Sequence, residues 1–103
     1  MVKPIESYEE FKTLLNSNRT FVVDYWATWC GPCRRISPIF EELSHKFTDL
    51  EFYKVDVDEQ EEISKESGIT AMPTFILFKN GQKIDYVRGA NPPALEALVS
   101  KAV

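Results

Sequence analysis

Cysteine is scarce in this sequence: the 103 residues hold two, Cys30 and Cys33, too few for the disulfide framework that staples a small secreted chain. Histidine is scarcer. With His45 alone beside the two thiols, the chain falls short of the four ligands of a structural zinc site, so no metal is expected. No stretch approaches the ~20 apolar residues of a membrane span, and no apolar segment follows Lys3 to make a signal peptide. The expectation is a chain without a membrane partner in a reducing cytoplasm; a form with its targeting segment already removed would read the same. Lys and Arg number 12 against 16 Asp and Glu, a net charge of -4, and no basic run interleaves with aromatics, so nucleic acid is not an expected partner. A glycine-rich dinucleotide signature and a phosphate loop are also missing.

What is present is a core. With 44% hydrophobic and 13% aromatic residues, one domain over residues 1–103 can be stable without staples or a metal. The two cysteines are therefore not needed for folding. They bracket Gly31-Pro32 directly after Trp29, and a bridge closing two intervening residues would constrain the unfolded chain little. Thiols at that spacing make a switch, because the small ring can close and reopen and present a sulfur to another protein's disulfide.

Ser7 to Glu10 fits a capping box ahead of Phe11, Leu14 and Leu15, which predicts a helix from about Ser7 to Asn16. Thr20 to Ala27 is β-rich with almost no alternation, as in a central strand covered on both faces. Ile36, Ile39, Phe40, Leu43 and Phe47 predict a helix from about Arg34 to Phe47, kinked by Pro38. A strand at Glu51 to Val57, a helix at Glu59 to Ser67 stopped by Gly68, and a strand at Thr74 to Lys79 follow. Asn80-Gly81 turns a hairpin into Gln82 to Val87, and Asn91-Pro92 opens a last helix. The order calls for an α/β sheet, parallel first and antiparallel at the hairpin, with helices on both faces. Asp56, Asp58, Glu59, Glu61 and Glu62 read as acidic residues complementing a helix N-terminus, and His45 as solvated.

Asp24 through Cys33, Ala71-Met72-Pro73-Thr74-Phe75, Phe78-Lys79-Asn80-Gly81 and Arg88-Gly89-Ala90 together resemble the thioredoxin family, in order and over essentially the whole chain. The resemblance implies the thioredoxin fold, a central five-stranded mixed β-sheet flanked by four α-helices. Gly31-Pro32 between the cysteines resembles the reducing members, since glutaredoxins usually carry Pro-Tyr and the oxidising relatives a His. Tyr25 stands where Phe is usual and Arg34 where many relatives have Lys; both keep size or charge.

Cys30 sits where a strand gives way to a helix, and the unpaired N–H groups there favour its anion. The resemblance makes Cys30 the nucleophile and Cys33, one helical turn on, the resolving thiol, leaving a redox-active Cys30–Cys33 disulfide. Pro32 stiffens the ring, and Gly31 lets a partner's backbone approach. Asp24 is the one charge in its strand, and burial should raise its pKa; an edge position or an internal hydrogen bond is the plain alternative. The resemblance makes it the general acid/base for Cys33. Lys54 would temper Asp24, or else is an exposed strand-end lysine. Pro73 is permitted at a strand start, and the resemblance implies a cis proline packed on the disulfide. Met72 would then pair with substrate through its backbone, although periodicity alone allows a core methionine. Trp29 is expected to cap the site and Gly89-Ala90 to form a third wall, while Trp26 reads as core.

The resemblance implies a protein-disulfide reductase with no bound cofactor, acting as a monomer. Its electrons would come from thioredoxin reductase and pass to peroxiredoxin, methionine sulfoxide reductase or ribonucleotide reductase. The rival is a binding module or clamp subunit of the same fold, whose redox state only gates a partner.

Overall fold

The run with almost no alternation becomes the middle of a sheet. In the computed structural model, which describes residues 1–103, Thr20–Trp26 (β2) lies between Glu51–Asp56 (β3), parallel to it, and Thr74–Lys79 (β4), antiparallel. Val2–Pro4 (β1) pairs in parallel with β3, and Gln82–Arg88 (β5) pairs antiparallel with β4, giving the order β1-β3-β2-β4-β5. Four helices complete the chain: Tyr8–Leu15 (α1), Gly31–Lys46 (α2), Glu61–Glu66 (α3) and Pro92–Lys101 (α4). This is the five-stranded mixed sheet with four helices that the resemblance implies.

Strand β2 shows why the central position needs apolar residues on both sides. Phe21, Val23 and Tyr25 point into a core closed by Phe11 and Leu14 of α1 and Ile63 of α3. Val22 points the other way, into a core built with Ile36, Phe40 and Leu43 of α2 and Leu95, Leu98 and Val99 of α4. Phe40 ties α2 to the sheet, with ring centroids 5.3 Å from both Phe52 and Phe75. Side chains alternate along a strand, so Asp24 and Trp26 share the α2 face with Val22. An acid is thus carried into the layer between sheet and active helix.

The helix ends follow local chemistry. Ser7 Oγ accepts from the Glu10 amide at 3.1 Å, while Glu10 Oε1 accepts from the Glu6 amide at 3.1 Å, a capping box shifted by one residue. Asn91 Oδ1 accepts from the Ala94 amide at 3.1 Å. Helix α2 starts at Gly31, three residues before the predicted Arg34, because Cys30 itself is its cap, and it continues through Pro38. Helix α3 starts at Glu61 and not at Glu59, since Asp56 Oδ1 accepts from the amides of Asp58 at 2.9 Å and Glu59 at 3.3 Å and holds that segment as a turn. Asp56, which ends β3, and Asp58 and Glu59 therefore precede the helix; Glu61 and Glu62 alone occupy its first turn. The short strand β1 lacks any periodic signal in the sequence.

Both rims of the sheet are modest. Strand β1 has three residues, and β5 carries Lys83, Asp85 and Arg88. The half-exposed Tyr86 ring of β5 lies under Lys83 Nζ at 4.6 Å and the Arg88 guanidinium at 5.4 Å.

The hairpin Asn80-Gly81 uses positive φ at both residues, 53° and 78°, as a two-residue turn between twisted strands requires. A Cβ on Gly81 would also meet the Leu15 carbonyl oxygen at 2.6 Å. Gly81→Ala is expected to destabilise the fold by roughly 1–3 kcal/mol, read as a lower urea midpoint with an unchanged slope. An unshifted midpoint would show that the turn does not constrain α1 against β4.

Candidate active site

Strand β2 ends at Trp26, and the loop Ala27–Trp29 delivers Cys30 to the start of α2. Cys30 and Cys33 are joined as a disulfide, with Cα atoms 5.3 Å apart. Cys30 Sγ accepts from the Cys33 amide at 3.2 Å, one of the helix N-terminal donors that would otherwise lack a partner. A thiolate at Cys30 would sit against the positive end of the helix, which favours the anion. Pro32 lies in the first turn, where its missing N–H costs nothing. A Cβ on Gly31 would meet only Arg35 Nη1, at an ordinary 3.7 Å, so the fold itself tolerates a side chain there.

Both sulfurs are nearly covered, Cys30 at 5% and Cys33 at 3% exposure. Surroundings separate them better than exposure does. Cys33 lines a cavity of about 100 Å3 together with Asp24, Trp26, Arg34, Ser37 and Lys54, and Cys30 does not.

Asp24 is on the central strand, not an edge. Its carboxylate is buried, and Oδ1 has no hydrogen-bond partner. Burial pushes its pKa up to about 7, while the charge of Lys54 pulls the other way. Lys54 lies directly opposite Asp24 in the β2–β3 register and places its ammonium 5.7 Å from the centre of the Trp26 ring. Of the two readings of Lys54, proximity to Asp24 is the one the strand pairing produces.

The outer surface of the site is assembled from three loops. Trp29 is 64% exposed, and its Nε1 donates to Asp58 Oδ2 at 2.9 Å. Met72 packs against Ala27, Cys30 and Cys33; it is half-buried at the disulfide and not part of either main core. The Met72–Pro73 peptide bond is cis, and neither backbone polar group of Met72 is engaged within the chain. The Gly89 amide donates to the Pro73 carbonyl at 2.8 Å, which brings Gly89 and the following Ala90 beside that loop. His45 is exposed on α2, with Nε2 3.5 Å from Glu41 Oε1, away from these residues.

Four participants were not legible as such in the sequence. Trp26 reads as core but is half-buried beside Asp24, with its Nε1 buried and unpartnered. Arg34 and Ser37 line the Asp24 cavity, and Arg34 Nη1 also donates to the Thr28 carbonyl at 2.6 Å. Asp58 reads as a helix-dipole partner, yet it holds Trp29. Alternation from Asp24 to Trp26 and the four-residue step from Cys33 to Ser37 were the available signals.

A disulfide formed across the first turn of a helix, directly after an exposed Trp and packed against the Met72 of a cis-Pro loop, defines a thiol-disulfide oxidoreductase. Residues 2–101 match the family model described as Thioredoxin. A thioredoxin of Coprinus comatus is 54% identical over 105 residues, spanning 100% of this chain and 99% of the relative. Thioredoxin-1 of Schizosaccharomyces pombe is 50% identical over 99 residues, spanning 96% of each. The crystal structure of Malassezia sympodialis thioredoxin superposes with a TM-score of 0.94 at 51% identity, covering 98% of this chain and 92% of that one. The chain belongs to the thioredoxin family. It is a dithiol-disulfide oxidoreductase whose redox centre is the Cys30–Cys33 pair, and the fold is the thioredoxin fold.

Proposed function

We propose that the two sulfurs have unequal tasks in reducing target disulfides, a reading carried by the shared cavity of Cys33 and Asp24. The Cys30 thiolate attacks one sulfur of the target disulfide; that bond breaks, and the departing sulfur leaves as a thiolate that takes a proton. Cys33 then gives its proton to the Asp24 carboxylate and attacks Cys30 Sγ, expelling the second target sulfur. Two electrons pass to the target, and the chain is left as the Cys30–Cys33 disulfide. A carboxyl with a pKa of about 7 exists in both forms at neutral pH, as a group that must take and return a proton requires. Lys54 tempers it by charge.

The free amide and carbonyl of Met72 support pairing with an extended target segment as an added strand. Trp29, Gly89 and Ala90 flank that segment, and Gly31 leaves room for it, with Pro32 and Pro73 fixing the walls. No cofactor is bound in this cycle. The electron source is an NADPH-dependent flavoprotein, a thioredoxin reductase, and the setting is the cytoplasm, where the chain acts as a monomer. Peroxiredoxins, methionine sulfoxide reductases and ribonucleotide reductases are the acceptors. For the first, support comes from a structural neighbour with a TM-score of 0.92 at 42% identity, covering 97% of this chain and 94% of that one. It was solved in work on how a yeast mitochondrial 1-Cys peroxiredoxin is resolved by glutathione/thioredoxin systems.

The test couples purified chain to such a flavoprotein and follows NADPH absorbance with insulin or an oxidised peroxiredoxin as acceptor. Expected is NADPH oxidation that requires all three components. If chemically reduced chain cleaves insulin disulfides while the flavoprotein stays idle, the electron source is wrong. Equilibration of the pair well above the potential of the glutathione pool would reject the reducing direction.

A further inference from the structure

The cavity beside Cys33 raises a question that the acid/base role of Asp24 leaves open: how a proton on a buried carboxyl reaches water. Asp24 is only 4% exposed. The titratable or charged groups facing it are Cys33 and Arg34 from α2 and Lys54 from β3, while β4 contributes Phe75, which does not titrate. The cavity's volume, about 100 Å3, has room for several waters, and two buried polar atoms without partners, Asp24 Oδ1 and Trp26 Nε1, belong to residues that line it.

A relay needs a group that accepts one proton while giving up another. Lysine, arginine and the indole N–H donate only, so Lys54, Arg34 and Trp26 can orient waters but offer no acceptor for an incoming proton. Cys33 is where the proton originates. Among the six residues lining the cavity, that leaves the hydroxyl of Ser37, which both donates and accepts.

Its placement suits the task. Ser37 is four residues beyond Cys33, on the same face of α2, and is exposed where Cys33 is buried. Ser44 of the same helix donates back to the Glu41 carbonyl at 2.6 Å, whereas the Ser37 hydroxyl has no partner in the protein. Pro38 lacks an amide hydrogen, so the Arg34 carbonyl four residues earlier has no helical donor. A second acceptor is thereby left on a residue lining the same cavity.

We propose that Ser37 is a positioning residue that forms the solvent end of a water chain through which Asp24 exchanges its proton. The proton taken from Cys33 moves from Asp24 to a cavity water; Ser37 Oγ accepts one proton from that chain and gives its own to bulk water. Ser37 ends unchanged, and Asp24 is restored as a carboxylate. This rests on the acid/base reading of Asp24 and adds its route to solvent.

Stopped-flow reduction of a disulfide substrate from pH 6 to 8 tests it with four variants: Ser37→Ala, Ser37→Thr, Asp24→Asn, and Ser37→Ala combined with Asp24→Asn. Ser37→Ala is expected to slow the resolving step by about 3- to 10-fold, a part of the ~100-fold or more that a full acid/base contributes. Thr, which keeps the hydroxyl, should restore the rate to within about 2-fold, and the Ala effect should vanish when Asp24 is Asn. Ser37→Ala with wild-type rates and pH profile, beside a slowed Asp24→Asn, overturns the relay and leaves the Asp24 role standing. A Ser37→Ala slowing that persists in the Asp24→Asn background also overturns it and assigns Ser37 to target docking. An unchanged profile in Asp24→Asn itself overturns both.

Discussion

At pH 8, Asp24→Asn is expected to raise the unfolding free energy by about 2–4 kcal/mol, and at pH 4 to change it little. The carboxyl titrates near 3.8 in an unfolded chain and at about 7 when folded. Between those values the folded protein holds a proton that the unfolded chain has lost, so the native protein's stability falls as pH rises through that window. Above 7 the cost levels off, on the order of 4 kcal/mol at ~1.4 kcal/mol per pH unit. Asparagine carries no charge at any pH and removes the penalty, while its amide in place of the unpartnered Oδ1 gives back about 1 kcal/mol. Because 1 kcal/mol corresponds to roughly 4–8 °C in a chain of this size, melting curves at pH 4 and pH 8 should diverge by 10 °C or more. Equal gains at both pH values would mean that Asp24 is not the ionising group. The same variant should lose the rise in turnover that accompanies ionisation near pH 7, so a destabilising acid is retained at the cost of stability.

The second large effect falls on the sulfurs. Cys30→Ser should lower disulfide reduction on the order of a thousand-fold or more, since a hydroxyl cannot attack a disulfide and removal of a nucleophile disables the whole cycle. Cys33→Ser should behave differently. Attack still occurs, but with no resolving thiol the target stays bonded to Cys30, and a mixed disulfide accumulates that migrates as a heavier band until a reductant is added. The protein trapped this way identifies the targets directly. A biological effect that survives Cys30→Ser would favour the clamp reading, and mixed disulfides forming through Cys33 would reverse the assigned order of the two thiols.

The central position of β2 was legible because Phe21, Val22, Val23 and Tyr25 leave no wet face, and Asp24 stood out against them for the same reason. The hairpin and the caps at Ser7 and Asn91 were legible because their signals are local. Pro73 was different: its sequence position says only that a strand begins there, and the resemblance supplied its cis bond. Strand β1 went unread because three residues carry no period and exist as a strand only through pairing with β3. The start of α2 was misplaced because a cysteine acted as cap, a task more often given to Ser, Thr, Asp or Asn. The cavity joining Asp24, Trp26, Cys33, Ser37 and Lys54 draws on β2, α2 and β3, and no local pattern encodes such a convergence. Trp29 with Asp58 shows the same limit over 29 positions.

The rims of the sheet bear on how such a chain coexists with the proteins it handles. An open strand edge is a template for other chains, and short length and charge are what blunt it. Here one rim is the three-residue β1 and the other is β5, with Lys83, Asp85 and Arg88 and two cations shielding Tyr86. The unpaired backbone of Met72 lies instead beside the reactive sulfur. On the proposed pairing of a target segment with Met72, contact with an extended polypeptide would be steered to the one place where it leads to chemistry, and the same blunted edges would guard against polymerisation with partly unfolded clients.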